Sequence, residues 1–328
     1  MPEHIITVEN IPGFTFSCQP HETLLQAAER QGIQFPVGCE NGLCGTCKGE
    51  LISGKTSYGT QEIYGLTPEE QAENQILFCS AIPEEDCTIL HNGIEIPPQH
   101  YAESATVVDR QSLGPFLTEL TLETATPWIY KPGQYLHVVH HQDPSVTLPF
   151  SIANGPGTRL LKLHIQILPG QPQEALLKEL IHAKSLHLEG PHGNAYLRQS
   201  SRPLLLIAGG SGFAPFSSLL EHLIKTHSPR EIYLYWGAKK PDRLYSHERL
   251  LALANQHPKL HYIPVISEPE GVDWSGKTGL VHEAALQDHP TLLSFECYLS
   301  GPYDMVKIAK ETFVRQGLSP RLLYSDMG

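Results

Sequence analysis

Cys39-Glu-Asn-Gly-Leu-Cys44-Gly-Thr-Cys47, read with a fourth cysteine in Leu77-Phe-Cys79-Ser-Ala81, decides the fold of the N-terminal part of this chain. The pattern is C-x4-C-x2-C, a gap of 31 residues, then the last cysteine. Three thiolates on one loop and one on a distant segment can surround two irons, and this is the spacing of a [2Fe-2S] cluster. Gly38, Gly42 and Gly45 serve the same loop, because positive φ and the absence of a Cβ let backbone N–H groups approach sulfur. The metal ligands expected are therefore Cys39, Cys44, Cys47 and Cys79.

Two other uses of cysteine fit less well. Zinc favours paired C-x2-C units or Cys/His pairs, and only one C-x2-C is present. A disulfide scaffold belongs to short secreted chains, whereas this one has 328 residues and begins Met-Pro-Glu-His with no basic and apolar leader. The remaining cysteines, Cys18, Cys87 and Cys297, lie in apolar or alternating stretches and are expected as buried small hydrophobes.

The formal charge of -12 is unevenly spread. Residues 1–98 hold 14 acidic and 3 basic side chains, while the remaining 230 hold 21 and 20. An acidic face on the cluster domain suits steering towards a basic partner and disfavours nucleic acid. No apolar run reaches the length of a membrane span, so a cytoplasmic protein is expected. The length predicts two or three domains. A proline-stiffened linker is expected from Glu95 to Ala105, and a second boundary near Gln199–Pro203. The domains are then 1–95, 103–200 and 201–328.

In the first of these, Ile6-Thr-Val and Phe14–Cys18 alternate around Pro12-Gly13 as a hairpin. Leu24, Leu25 and Ala28 form a helical stripe ended by Gly32, and strands are expected at Lys48–Ile52 and Cys87–Leu90. In the second, alternating segments at 105–108, 116–122, 135–139 and 161–167 predict an antiparallel barrel or sandwich with one helix near Gln173–His182. Turns are expected at Lys131–Gln134 and Glu189–Gly193. In the third, Pro203-Leu-Leu-Leu-Ile-Ala leads into Gly209-Gly-Ser-Gly212-Phe-Ala-Pro215 and a helix. Strands at 231–237, 259–266 and 296–300 alternate with helices, which predicts an α/β parallel sheet. A glycine-rich loop can serve tight packing alone, but its place between a buried strand and a helix makes a good phosphate site, although the pattern is not G-x-G-x-x-G.

Taken in order, these segments resemble the ferredoxin–NAD(P) reductase-like enzymes that carry an N-terminal plant-type ferredoxin domain. The resemblance implies a β-grasp cluster domain, a β-barrel that binds FAD and a nicotinamide domain. Lys131-Pro-Gly-Gln-Tyr135 and Leu148-Pro-Phe-Ser151 match the family's flavin motifs, which implies Phe150 against the isoalloxazine and Ser151 near its N5. Gly190-Pro-His-Gly193 matches a later glycine-rich turn beside the cofactor. Gly209, Gly210, Gly212 and Pro215 match its nicotinamide-domain loop, and Ser300-Gly301-Pro302 its Cys-Gly-Pro, implying Ser300 beside the hydride. Two departures concern the FAD pyrophosphate. Leu148 stands where the family has arginine, and Glu174 stands at a helix start where a negative charge has the wrong sign. Lys239, Lys240 and Arg243 are candidates for a coenzyme 2'-phosphate, although such residues are more often solvated strand ends, and the reading leans to NADH over NADPH. Met327 and Gly328 replace the aromatic ending common in the family.

The order of parts makes physical sense, because nicotinamide gives up an electron pair, a cluster takes single electrons, and a flavin mediates between them. The implied function is transfer from NAD(P)H through FAD and [2Fe-2S] to an acceptor protein such as an oxygenase component. A donor to a deoxysugar dehydratase, of the CDP-6-deoxyhexose reductase type, is the alternative. A redox-sensing or scaffold protein with a degenerate flavin site is a third reading.

Overall fold

The computed structural model describes residues 3–326 except 92, 95, 97, 98 and 272. Glu95, Pro97 and Pro98 of the expected linker, and Met327 and Gly328 of the expected ending, lie outside the described residues. The chain falls into two compact units, Met1–Gln99 with Pro127–Ile129, and His100–Thr126 with Tyr130–Gly328.

The first unit is built on a five-stranded sheet in the order Thr15–Cys18, His4–Val8, Cys87–Leu90, Lys48–Ser53, Gln75–Leu77. Its outermost segments in sequence pair in parallel, Ile6 beside Cys87, so the unit closes on itself. Helix Leu24–Arg30 starts at Thr23, whose side chain accepts from Gln26 N–H while Gln26 reaches back to the Thr23 N–H. This capping box satisfies two N–H groups that the helix cannot. The helix ends at Gly32, with φ of 74°, and buries Leu24, Leu25, Ala27 and Ala28. Phe35 and Phe78 meet edge to face at 4.9 Å in the core, which anchors the segment that presents Cys79. A short helix at Pro68–Ala72 went unforeseen, although Thr67-Pro-Glu-Glu70 spells its capping box and starting proline.

The second unit contains an antiparallel sheet and a parallel one. The antiparallel order is Thr147–Ser151, Tyr135–Val139, Ser185–His192, Tyr101–Gly114, Leu117–Glu123, Leu160–Gln166. The expected helix is present at Glu174–His182. Glu189–Gly193 is not the expected turn. Glu189 pairs with His137 and His192 with Tyr135, and the register shifts between them. The sequence was misleading because Pro191, which lacks an N–H, sits at a bulge, a place in a strand where proline is tolerated.

The parallel sheet runs Lys277–Thr278, Leu260–Ile266, Ile232–Ala238, Leu204–Gly209, Glu296–Ser300, Leu323–Tyr324. Strand Leu204–Gly209 is buried throughout, as its unbroken apolar run requires of a central parallel strand. Its neighbours are Ile232–Ala238 on one side and Glu296–Ser300 on the other. Chain order reverses there, and the crevice beyond the strand ends is where such sheets bind ligands. Helices Ala214–Lys225, His247–Gln256, Val281–Asp288 and Tyr303–Arg315 flank the sheet. The third of these was not foreseen. Ser218 Oγ donates to the Asn154 carbonyl at 2.6 Å, which ties barrel to sheet, and Tyr130 donates to the same oxygen from within the barrel at 2.9 Å. Cys18, Cys87 and Cys297 are buried, as expected.

Candidate functional site

The cluster loop is shaped around its own sulfurs. The N–H groups of Leu43 and Cys44 point at Cys39 Sγ at 3.3 and 3.2 Å, and those of Cys39 and Thr46 at Cys44 Sγ at 3.4 and 3.5 Å. The Thr46 hydroxyl lies 3.2 Å from Cys44 Sγ and, with these amides, lowers the Cys44 pKa to about 6. Burial pushes the Cys47 thiol up to about 12, so that sulfur needs a metal to ionise it. Gly42 and Gly45 adopt φ of 78° and 75°; a Cβ on Gly42 would lie 2.7 Å from Ile63 Cγ2 and one on Gly45 3.0 Å from the Gly65 carbonyl. Gly65 was not singled out in the sequence, yet a Cβ there would meet Gly45 N at 2.8 Å.

A single tetrahedral zinc would hold sulfurs about 3.8 Å apart, given Zn–S of about 2.3 Å. Among the described residues, the trio of ligating groups gathered within 4.8 Å is His140, His141 and Glu179, not three of the cysteines. The cysteine set, wider than one ion needs and rich in N–H donors, fits a dinuclear cluster.

In the second unit, a cavity of about 660 Å³ opens at the crevice. Phe150 and Ser151 line it from strand Thr147–Ser151. Gly209, Gly210, Gly212 and Pro215 line it from the loop after the central strand, and Ser300, Gly301 and Pro302 from the neighbouring strand end. The fit at the strand ends is tight. A Cβ on Gly212 would lie 2.4 Å from the Ser300 carbonyl oxygen, and one on Gly301 2.9 Å from Gly209 N. Gly190 and Gly193 are not on the wall. A Cβ on Gly190 would meet Leu136, and one on Gly193 would meet Asp326 Oδ2 at 2.5 Å and Tyr135 at 2.9 Å, so neither position has room for a side chain.

Asp326 does line the cavity, and its carboxylate accepts from the N–H groups of Asn194 and Ala195 at 2.6 and 3.0 Å. His164, another lining residue that the sequence did not advertise, is held by Glu119 at 3.1 Å and by the Tyr245 hydroxyl at 3.0 Å. Hydrogen bonding from His164, with help from Lys162 at 2.7 Å, outweighs burial and holds the Glu119 carboxyl down at about 2.

The charged residues singled out from sequence are all engaged. Glu174 does not aim a bare charge at the cavity. Its carboxylate takes the Gly170 N–H at 2.7 Å and Lys178 at 2.6 Å, and both lower its pKa. Lys239 pairs with Glu268 at 3.0 Å, Lys240 donates to the Glu270 carbonyl at 2.9 Å, and Arg243 lies 4.1 Å over the Phe116 ring. Leu148 lines the cavity.

Residues 6–84 match the 2Fe-2S iron-sulfur cluster binding domain and residues 206–311 the oxidoreductase NAD-binding domain. With the cavity these define a class, the reductases that join a nicotinamide site, a flavin and an iron–sulfur cluster. The chain is 32% identical over 328 residues to the CDP-6-deoxy-L-threo-D-glycero-4-hexulose-3-dehydrase reductase of Yersinia pestis, covering 96% of this chain and 95% of that one. It is also 32% identical to the phenol hydroxylase P5 protein of Acinetobacter pittii, over 98% and 93% of the two chains. The crystal structure of the Amycolatopsis cytochrome P450 reductase GcoB superposes with a TM-score of 0.65 at 28% identity, covering 98% of each chain. The chain belongs to this family of ferredoxin-reductase-type electron-transfer proteins. It is an NAD(P)H-dependent oxidoreductase that uses FAD and [2Fe-2S] and passes electrons to an acceptor protein. Among the described residues, no helix is long and apolar enough to cross a membrane.

Proposed function

We propose that this chain is the cytoplasmic reductase component of an oxygenase system. Its work divides among 1–95 as cluster domain, 103–200 as flavin barrel and 201–328 as nicotinamide domain. Cys39, Cys44, Cys47 and Cys79 ligate the cluster. Phe150 packs against the flavin ring and Ser151 bonds at its reactive edge. Gly209–Pro215 and Ser300–Pro302 seat the nicotinamide coenzyme, with Ser300 and Ser151 the side chains nearest the transferred hydrogen.

The observation that carries this reading is one cavity lined both by Phe150 and Ser151 and by the Gly209–Gly212 and Ser300–Pro302 turns. Bound there, the flavin accepts an electron pair and releases single electrons. The chain's own residues orient the two rings and exclude water from between them. Anaerobic titration with NADH and with NADPH, following flavin and cluster absorbance, tests it. Both should bleach, and no change in either with either coenzyme would overturn the assignment. Lys239 and Lys240 are already engaged by Glu268 and the Glu270 carbonyl, which supports NADH as the better donor.

A second acceptor, a deoxysugar dehydrase component, is favoured by the similarity to the Yersinia pestis reductase over nearly the whole chain. Supplying the reduced protein with an oxygenase component and with a dehydrase component, and comparing rates of cluster reoxidation, separates the two.

A further inference from the structure

The side chains that line the cavity include no lysine or arginine among the described residues. Yet the dinucleotides it is read to hold each carry a diphosphate with two negative charges. The nearby cations of the barrel have other partners. Lys162 is on Glu119 at 2.7 Å and Lys178 on Glu174 at 2.6 Å. Arg198 lies 3.4 Å over the Tyr196 ring and donates to the Asn194 carbonyl at 2.7 Å. Of the lining histidines, His164 is committed to Glu119 and Tyr245, and His137 packs against the His192 ring at 4.5 Å.

On the barrel side the cavity wall instead offers Leu148, Gln171, Gln173 and Leu177. The Gln171 side-chain oxygen is taken by the Leu168 N–H at 3.1 Å, which turns its NH₂ into the group left to donate. Gln173 precedes helix Glu174–His182 without using its side chain as a cap, which leaves that amide to the cavity, while the Glu174 N–H is taken by the Gln171 carbonyl at 3.0 Å.

We propose that this chain grips the FAD diphosphate with neutral donors, the side-chain amides of Gln171 and Gln173, and so holds FAD as an exchangeable cofactor. This rests on the reading of the cavity as the flavin site. A charge-assisted Arg–phosphate pair is stronger and salt-sensitive, whereas neutral amide contacts are weaker and feel salt little. Nearly all of the affinity then comes from burying the flavin ring.

The test is a fluorescence titration of the full-length apoprotein with riboflavin and with FAD. It is made at about 0.1 M and about 1 M KCl, where the screening length falls from about 10 to about 3 Å. FAD should bind less than about tenfold more tightly than riboflavin, with a Kd that changes less than about twofold with salt. Leu148→Arg should tighten FAD by about tenfold or more at low salt and leave riboflavin unchanged, and the gain should fade at high salt. Wild-type FAD binding that is already about a hundredfold tighter than riboflavin and collapses in salt would overturn the proposal, and needs no variant to be seen. So would a Leu148→Arg protein that folds, binds riboflavin normally and gains nothing for FAD. Failure of the wild type to bind either flavin would instead remove the cavity assignment itself, and the proposal with it.

Discussion

Gly212→Ala and Gly209→Ala add the same methyl group at the two ends of one loop, and the structure predicts different outcomes. On Gly212 the new Cβ would sit 2.4 Å from the Ser300 oxygen, 2.5 Å from its carbonyl carbon and 2.6 Å from Gly301 N. All three are backbone atoms, and ordinary contact begins at about 3.4 Å, so the loop and the strand end must part by about 1 Å. Overpacking of this kind costs about 1–3 kcal/mol of stability. A displacement of about 1 Å between groups that orient reactants costs about a hundredfold in rate. On Gly209 the first atom met is Met305 Sδ at 2.5 Å, the tip of a flexible side chain that can swing aside, although Pro302 Cδ at 2.9 Å limits the room. The expected loss there is about tenfold or less. NADH-dependent ferricyanide reduction reads the step, with kcat and KM taken separately and a thermal melt confirming the fold. Gly212→Ala retaining kcat/KM within about threefold of wild type, or the two variants falling equally, would refute the steric argument.

Cys79→Ser should abolish the cluster's visible absorbance and bound iron while sparing NADH-to-ferricyanide turnover, and a variant with its cluster intact but flavin reduction lost would contradict the ligand assignment. Thr46→Val removes the hydroxyl 3.2 Å from Cys44 Sγ, so the cluster should persist at a more negative potential in a redox titration, and an unchanged potential would count against that contact. The Glu119 carboxyl is lowered from its ordinary 4.5 to about 2, so its stabilisation is full above pH 4.5 and is lost as pH falls through about 2. Glu119→Gln should therefore cost the second unit about 3 kcal/mol in urea unfolding at neutral pH, a gap that closes on acidification, whereas a pH-independent gap would argue for packing alone.

Much of this was legible because the chain punctuates itself. The cysteine spacing and the apolar run at 203–208 each have one economical physical use, and the glycines gain theirs from their place after that run. The elements missed were those whose signal is short or local. Pro68–Ala72 and Val281–Asp288 are helices of 5 and 8 residues, too brief for a periodic stripe to stand out. Glu189–Gly193 looked like a turn because glycine and proline mark both turns and bulges. The sequence could assign Glu174 a charge but not a partner, and Gly170 N–H with Lys178 changed its meaning. His164 and Asp326 reach the cavity through contacts with Tyr245 and with Asn194 and Ala195, residues remote in sequence that no local pattern pairs with them.

The bonds that cross from barrel to parallel sheet have a thermodynamic corollary. Ser218 on Asn154, Asp326 on Asn194 and Ala195, Tyr245 on His164, and the Tyr298 hydroxyl accepting the Arg198 N–H at 3.0 Å all join one half of the second unit to the other. Neither half can open without exposing polar groups that the other satisfies, so the pair should melt in a single cooperative transition. A ligand bound only to the native sheet would then protect the barrel as well. A coenzyme analogue should slow amide hydrogen exchange in Thr147–Ser151 and Leu160–Gln166 as well as in the strands whose ends it touches.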